Sequence, residues 1–215
     1  MAPAVKLPIS AVIVTRNEER RIKKCLAALK DFDEIVVVDS QSSDRTREIA
    51  ASCGATVYDF AWDGRYPKKR QWTLDNLSLK YDWIFWIDAD EIAPQALIDE
   101  MRLIDANAAG YFVQGLYLFE GAPLNHGLRN NKLALMHKHR MEFPVVDDTG
   151  APGMGEIEGH YQPVLKKGFE NAKIGQLKNY LIHDAYGDKA GWIARHERYA
   201  AWENEMDRRN AWPQE

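Results

Sequence analysis

The sequence predicts an α/β fold built on a parallel sheet, and three observations carry that prediction. Short β-branched runs alternate with helix-spaced segments from Ile9 through Tyr58, the pattern of βαβ units. Polar side chains gather where those runs end, as Thr15-Arg16-Asn17 and then Asp39-Ser40. The aromatic run Trp83 to Ile87 (WIFWI) ends the same way, in Asp88-Ala89-Asp90-Glu91. Open α/β sheets take ligands at the carboxyl ends of their strands, so the three clusters are expected around one crevice.

Each element follows from its local pattern. Ile9 to Thr15 (ISAVIVT) ends at TRNEE and reads as a buried strand. Glu18 to Leu29 sets Ile22, Cys25, Leu26 and Leu29 at helical spacing. Glu34 to Val38 (EIVVV) is a second strand, closed by Asp39 and the turn SQSSD. Asp44 opens a helix through Cys53 that Gly54 stops, and Ala55 to Tyr58 is a third strand. Ala61 to Leu77 begins as a Gly/Pro loop and becomes helical near Lys68; a further helix follows Pro94 to about Ile104. Gly110 to Phe119 and Lys132 to His137 read as an antiparallel extension of the sheet. Thr149 to Gly159 is a loop, Gln176 to His183 a strand, and Lys189 to about Asn210 the final helix. With no repeat or linker, one domain is expected over residues 1–215, its nucleotide-type half ending near residue 105.

Composition narrows the function. Charged residues at 28% and hydrophobic ones at 46% are those of an ordinary globular chain. A net charge of −4 gives no general pull toward nucleic acid, so any anion site must be built locally. Two cysteines, Cys25 and Cys53, make no disulfide framework and point to a reduced, cytoplasmic compartment. MAPAVKLPIS lacks the apolar core of a signal peptide, and no run approaches the roughly 20 apolar residues that cross a bilayer. Neither export by that route nor a membrane span is expected; contact with a membrane surface stays open.

Asp88, Asp90 and Glu91 crowd negative charge at the end of a water-shy run. One reading is capping of the next helix, for which Pro94 is well placed. Capping uses one acceptor, however, and carboxylates this close repel unless a cation sits among them. A hard cation such as Mg²⁺ or Mn²⁺ takes oxygen ligands and keeps positions for water and phosphate. Two aspartates bridged through it to a diphosphate meet the pattern. The run Lys68-Lys69-Arg70-Gln71 reads as a solvated helix face or as positive charge for that diphosphate, with Lys69 and Arg70 the candidates for phosphate contact or loop anchoring. Trp62 and Trp72 read as packing residues.

TRNEE, VVVDSQSSDRT and IDADE, in that order after successive strands, resemble the family-2 glycosyltransferases. The spacing is similar to that of bacterial lipopolysaccharide-core glucosyltransferase-like members. The first half carries the likeness, and HDAYGDKAGWIARHERYAAWE is similar in character to their C-terminal region. The resemblance implies a GT-A fold, a nucleotide-sugar donor (a UDP-sugar first), Mn²⁺ or Mg²⁺, and inversion at the anomeric carbon. It further implies a glycan or lipid-linked acceptor in cell-envelope polysaccharide or lipopolysaccharide synthesis, and peripheral contact with the cytoplasmic membrane face. Carried over by motif, Thr15, Asn17, Glu18 and Asp39 contact the donor's base or ribose. Asp44 is either a helix cap or a nucleotide contact. Asp88 holds the nucleoside or a metal-bound water, and Asp90 is the metal ligand. His183 is a further ligand or a structural histidine.

Inverting transfer needs a carboxylate to take the acceptor's proton. The DAD pair is committed to the leaving group, so the base is expected in the second half: Glu158 first, Glu156 second, Asp148 third. Gly153, Gly155 and Gly159 are expected to let their loop move over the site, with His160 and Tyr161 adding hydrogen-bonding groups; a solvated acidic loop is the alternative. The last helix sets Trp192, His196, Tyr199 and Glu203 on one face, for core docking or for a membrane interface. Two other functions fit parts of the pattern: a sugar-nucleotide-forming nucleotidyltransferase, though TRNEERR lacks the glycines of a phosphate loop, and a non-catalytic nucleotide-sugar-binding protein.

Overall fold

The structure is a computed structural model; it describes residues 5–126, 129–153, 155–158, 161–186 and 189–212. Gly159 and His160 lie outside the described residues. Three parallel strands open the chain: β1 (Leu7–Thr15), β2 (Phe32–Asp39) and β3 (Thr56–Asp59), with α1 (Ile22–Ala28) and α2 (Thr46–Ser52) between them. After α3 (Lys69–Asn76), β4 (Trp83–Asp88) lies parallel to β1 on its other side. Then come β5 (Glu91–Ile92), α4 (Gln95–Met101), β6 (Gly110–Phe119), β7 (Ala122–Pro123), β8 (Asn131–His137) and β9 (Met141–Glu142). β10 (Val164–Leu165), β11 (Ile174–Gln176), β12 (Leu181–Tyr186) and α5 (Lys189–Arg209) complete the chain.

The main sheet runs β3-β2-β1-β4-β8-β6-β12-β5, with β7 and β11 attached to β6. Its first four strands are the expected parallel half, and β8 joins antiparallel to β4 and to β6. The α/β class is thus as expected, and the second half extends the sheet rather than starting a new one. Two apolar layers sandwich it. Ile13, Phe85 and Ile87 pack with α1 and α4 on one face, while Val12, Val36, Val38, Ile84 and Trp86 face Phe60 and Phe143 on the other. Alternation along β4 therefore sends Trp86 and Asp88 to one face and Ile87 to the other. Trp62 and Trp72 pack against the second layer.

Some boundaries differ from the sequence reading for physical reasons. The stretch expected as one strand from Gln176 to His183 is two, β11 and β12, each pairing parallel to a different part of β6. Asp44 precedes α2 by two residues: its Oδ1 accepts the Thr46 amide (3.0 Å) and its Oδ2 the Glu19 amide (3.1 Å), closing a turn rather than a helix. None of the DADE carboxylates caps α4, whose N-cap is Pro94 with no side-chain acceptor. β5 intervenes and pairs antiparallel with β12, setting His183 opposite Glu91. Both cysteines are free thiols, Cys25 buried and Cys53 exposed. Among the described residues no helix is long and apolar enough to cross a membrane.

Candidate active site

β1, β2 and β4 end side by side because they are parallel and in register, Thr15 beside Asp39 and Val14 beside Asp88. Thr15 donates its hydroxyl to Asp39 Oδ2 (2.9 Å), and Asp39 Oδ1 accepts the Ser42 amide (2.7 Å). Asp39 has no exposed surface; its carboxylate ties the SQSSD turn to the end of β1. Asn17, at φ 57°, accepts the Ser43 amide on Oδ1 (2.8 Å) and donates its own amide to Ser42 Oγ (2.8 Å). The Glu18 amide bonds Thr46 Oγ1 at 2.7 Å. Burial and the neighbouring Asp90 charge raise the Glu18 carboxyl's pKa. The first-half candidates thus form one continuous edge.

At the end of β4 the negative charge is answered by cations of the protein itself. Asp88 Oδ1 accepts from Arg70 Nη2 (2.9 Å) and Oδ2 from Lys132 Nζ (3.3 Å). Lys132 also pairs with the buried Glu91, whose Oε2 accepts the Asp88 amide at 2.8 Å. Burial works against charge on Asp88, but Lys132 and Arg70 outweigh it and hold the carboxyl well below its ordinary range. Asp90 faces an imidazole and a guanidinium, His183 Nε2 at 3.3 Å from Oδ1 and Arg195 Nη1 at 3.4 Å from Oδ2. Burial alone would lower the His183 pKa; Asp90, then Glu91 and Asp88, raise it instead.

The donor set suits a divalent cation at one place. His183 is partly buried and stacked on Tyr117 (centroids 4.7 Å apart), and its two ring nitrogens are buried with no aligned hydrogen-bond partner. Orphaned nitrogens beside a carboxylate oxygen offer the mixed N/O ligation that Mn²⁺ and, less readily, Mg²⁺ accept. Among the described residues no three His, Cys, Asp or Glu side chains gather closely enough to enclose a metal. Asp90 and His183 therefore fit as a partial set, completed by water and phosphate, whereas Asp88 faces Arg70 and Lys132.

These groups border a pocket of about 780 Å³. Arg70, Trp86, Asp88, Lys132 and His183 line it from α3, β4, β8 and β12, and Glu158, Tyr161, Trp192, Arg195, Tyr199 and Glu203 line it from the loop before β10 and from α5. The expected face of α5 is thus neither core nor free surface: Trp192, His196, Tyr199 and Glu203 all line the pocket. The adjoining stripe of the helix buries Trp202 and Met206 against Val146, Ala151 and Tyr161, with Tyr199 packed against the same cluster. A Cβ on Gly153, at φ 97°, would lie 2.5 Å from the Arg198 carbonyl, so this glycine admits α5 rather than freeing a lid.

The carboxylates expected to act as base have other partners. Asp148 does not line the pocket; its Oδ2 lies 2.6 Å from Lys68 Nζ, with both side chains almost fully buried. Glu156 also lies outside the lining, 3.6 Å from Arg16 and 3.9 Å from Lys69. Glu158 reaches the pocket, but its carboxylate caps α3, accepting the amides of Arg70 (2.9 and 3.1 Å) and Gln71 (2.9 Å). Helix α3 lacks a cap of its own, so this borrowed one satisfies its orphan N–H groups. Lys69 is an anchor: buried, it donates to the Thr15 carbonyl at 3.1 Å. Lys132 was missed in sequence although its strand was found. Continuing the β4/β8 register, in which Trp83 faces His137 and Phe85 faces Leu135, sets Lys132 opposite Asp88. Arg195 gave only the weak signal of an arginine in an aromatic helix.

An α/β sheet with charged groups massed at the carboxyl ends of its parallel strands, opening on a mixed-polarity pocket, is the arrangement in which open α/β folds take small ligands. The family model of glycosyl transferase family 2 matches residues 10–172, and the chain belongs to that family. An uncharacterized glycosyltransferase of Rickettsia bellii is 40% identical over 108 residues, 50% of this chain and 36% of its own length. The lipopolysaccharide core biosynthesis glycosyltransferase LpsC of Rhizobium meliloti is 38% identical over 100 residues, 43% of this chain and 35% of its own. The chain thus spans about a third of these curated relatives. Among solved structures, glucosyl-3-phosphoglycerate synthase of Mycobacterium tuberculosis, in complex with Mn²⁺, UDP and glucosyl-3-phosphoglycerate, is 26% identical over 51% of this chain and 44% of its own, with a TM-score of 0.39.

Proposed function

We propose that this chain is a metal-dependent, inverting glycosyltransferase that moves a sugar from a nucleoside-diphosphate donor, a UDP-sugar first, to an acceptor hydroxyl. The observation that carries the reading is the Asp90–His183 pair, its ring nitrogens buried without an aligned hydrogen bond, at the edge of a pocket that Arg70 and Lys132 also line. Residues to about 105 form the donor half, with Thr15, Asn17, Glu18, Asp39 and Asp44 shaping its edge; the rest forms the acceptor half. Because Asp39 is closed off, it acts through the SQSSD backbone it positions. Arg70 and Lys132 hold Asp88 ionised and bring positive charge to the diphosphate. Mn²⁺ or Mg²⁺ held by Asp90 and His183 would supply Lewis-acid stabilisation of charge on the departing diphosphate. The aromatic lining from Tyr117, Trp192 and Tyr199 suits the apolar faces of sugar rings.

The name of the Rhizobium meliloti relative supports an acceptor in the cell envelope, a glycan or a lipid-linked sugar. Part-exposed Trp192 and Ile193 at the start of α5 support peripheral contact with the cytoplasmic face of the membrane. The test is calorimetric binding of UDP, GDP, CMP and dTDP with Mn²⁺ and then with EDTA, repeated with Asp90→Asn. One diphosphate should bind with metal, and affinity should fall at least tenfold in EDTA and in the variant. Equal binding in all three conditions would remove Asp90 from the donor site.

A further inference from the structure

We propose that Arg129, just before β8, receives a carboxylate or phosphate carried by the acceptor, an assignment that rests on the transferase reading above. The pocket lining includes four Arg or Lys side chains: Arg70, Arg129, Lys132 and Arg195. Three of them face carboxylates of the protein. Arg70 and Lys132 meet Asp88, Lys132 also meets Glu91, and Arg195 meets Asp90. Among the described residues no carboxylate lies within ion-pair distance of Arg129, and no acceptor takes its N–H groups.

The Arg129 guanidinium is nevertheless held in place. It lies over the Tyr180 ring, 4.7 Å from the centroid, and such a cation–π contact steadies the charge through its face. The edge, with its fork of N–H donors, is the part of a guanidinium that recognises carboxylate and phosphate oxygens in pairs. Both partners of the contact sit on anchored backbone. Tyr180 follows Asn179, whose amide and side chain donate to Glu100 Oε2 at 3.0 and 2.8 Å. Beyond Arg129, the Asn130 carbonyl accepts the Gly115 amide at 2.8 Å, and Asn131 Nδ2 donates to Gln176 Oε1 at 3.0 Å.

Register relates this seat to the metal pair. Gly115 of β6 bonds Asn130 on one side and lies beside Leu181 of β12 on the other; two residues on, Tyr117 lies beside His183. The backbone next to Arg129 thus joins β6 roughly 7 Å along the strand from the level of His183, at 3.3 to 3.4 Å per residue. An acceptor bound in this pocket can therefore present a hydroxyl near the Asp90–His183 pair and its charged group to Arg129.

The experiment uses the full chain as wild type, Arg129→Gln and Arg129→Lys, with Mg²⁺, with and without whichever of UDP, GDP and dTDP binds best. Nuclear magnetic resonance titrations follow glucose, glucose-6-phosphate and glucuronate. One charged sugar should bind the wild type at least tenfold more tightly than glucose, and which one it is tells phosphate from carboxylate. Arg129→Gln should lose that preference while keeping the wild-type melting temperature and diphosphate affinity. Arg129→Lys should keep part of it, as a point charge without the fork. Equal binding of the three sugars, binding of none, or a preference that survives Arg129→Gln would overturn the assignment. So would a variant that weakens the diphosphate instead, which would put Arg129 on the donor. A wild type that binds no diphosphate, yet keeps an Arg129-dependent preference for a charged sugar, would overturn the transferase reading and not the anion site.

Discussion

Along one wall of the pocket, side chains such as Asp88 and Trp86 project from strands whose ladder fixes their spacing; along the other, Glu158, Tyr199 and Glu203 are carried by a loop and a helix seated through side chains. The first wall needs only the parallel register of β1, β2 and β4 to bring Thr15, Asp39 and Asp88 together. The second depends on particular long-range bonds: the Lys68–Asp148 ion pair, the Glu158 cap on α3, and Trp202 and Met206 beneath α5. Backbone ladders tolerate side-chain change, whereas a wall held by a few buried polar contacts stands or falls with each of them.

The sharpest way to break that contrast is Asp148→Ala. It leaves the Lys68 ammonium buried without its carboxylate, which should cost about 3 to 5 kcal/mol, read from urea melts. Replacing both partners by Met and Leu should recover most of the loss. A cost under about 1 kcal/mol would mean that the second wall does not hang on this pair. Next in size, Glu158→Ala should cost about 2 kcal/mol, because it uncovers the Arg70 and Gln71 amides at a buried helix start. Circular dichroism and denaturant midpoints would show it.

A pH dependence concerns Lys69, whose buried ammonium reaches the Thr15 carbonyl at the end of β1. Burial, the largest cause, lowers its pKa from 10.5 to about 8; Arg70 adds to this, while Glu156, Asp39 and Glu158 oppose it. Below about pH 8 Lys69 is charged in both folded and unfolded states, and the cost of burying the ammonium is fully present. Between about 8 and 10.5 the unfolded chain holds the proton that the folded chain has released, so stability rises with pH. Urea midpoints should show this rise in the wild type above any shared trend, and Lys69→Met should lose it. Identical slopes would place the ammonium in a better-solvated setting.

The sequence by itself determined the alternation of strand and helix and the meeting of Thr15, Asp39 and Asp88 at one edge. Local periodicity sets each strand, and parallel strands necessarily finish on the same side of a sheet. It also sorted the faces of α5, since Trp192, His196, Tyr199 and Glu203 recur at helical spacing. What that face meets was decided by tertiary structure, and so were the partners of the DADE carboxylates. Lys132 reaches Asp88 only through the antiparallel β4/β8 register, and His183 reaches Asp90 only because β12 pairs with β5. The acidic loop read as a source of the base became a cap and an ion pair. A carboxylate's role depends on which amides and cations surround it, and here those come from residues some 80 positions away.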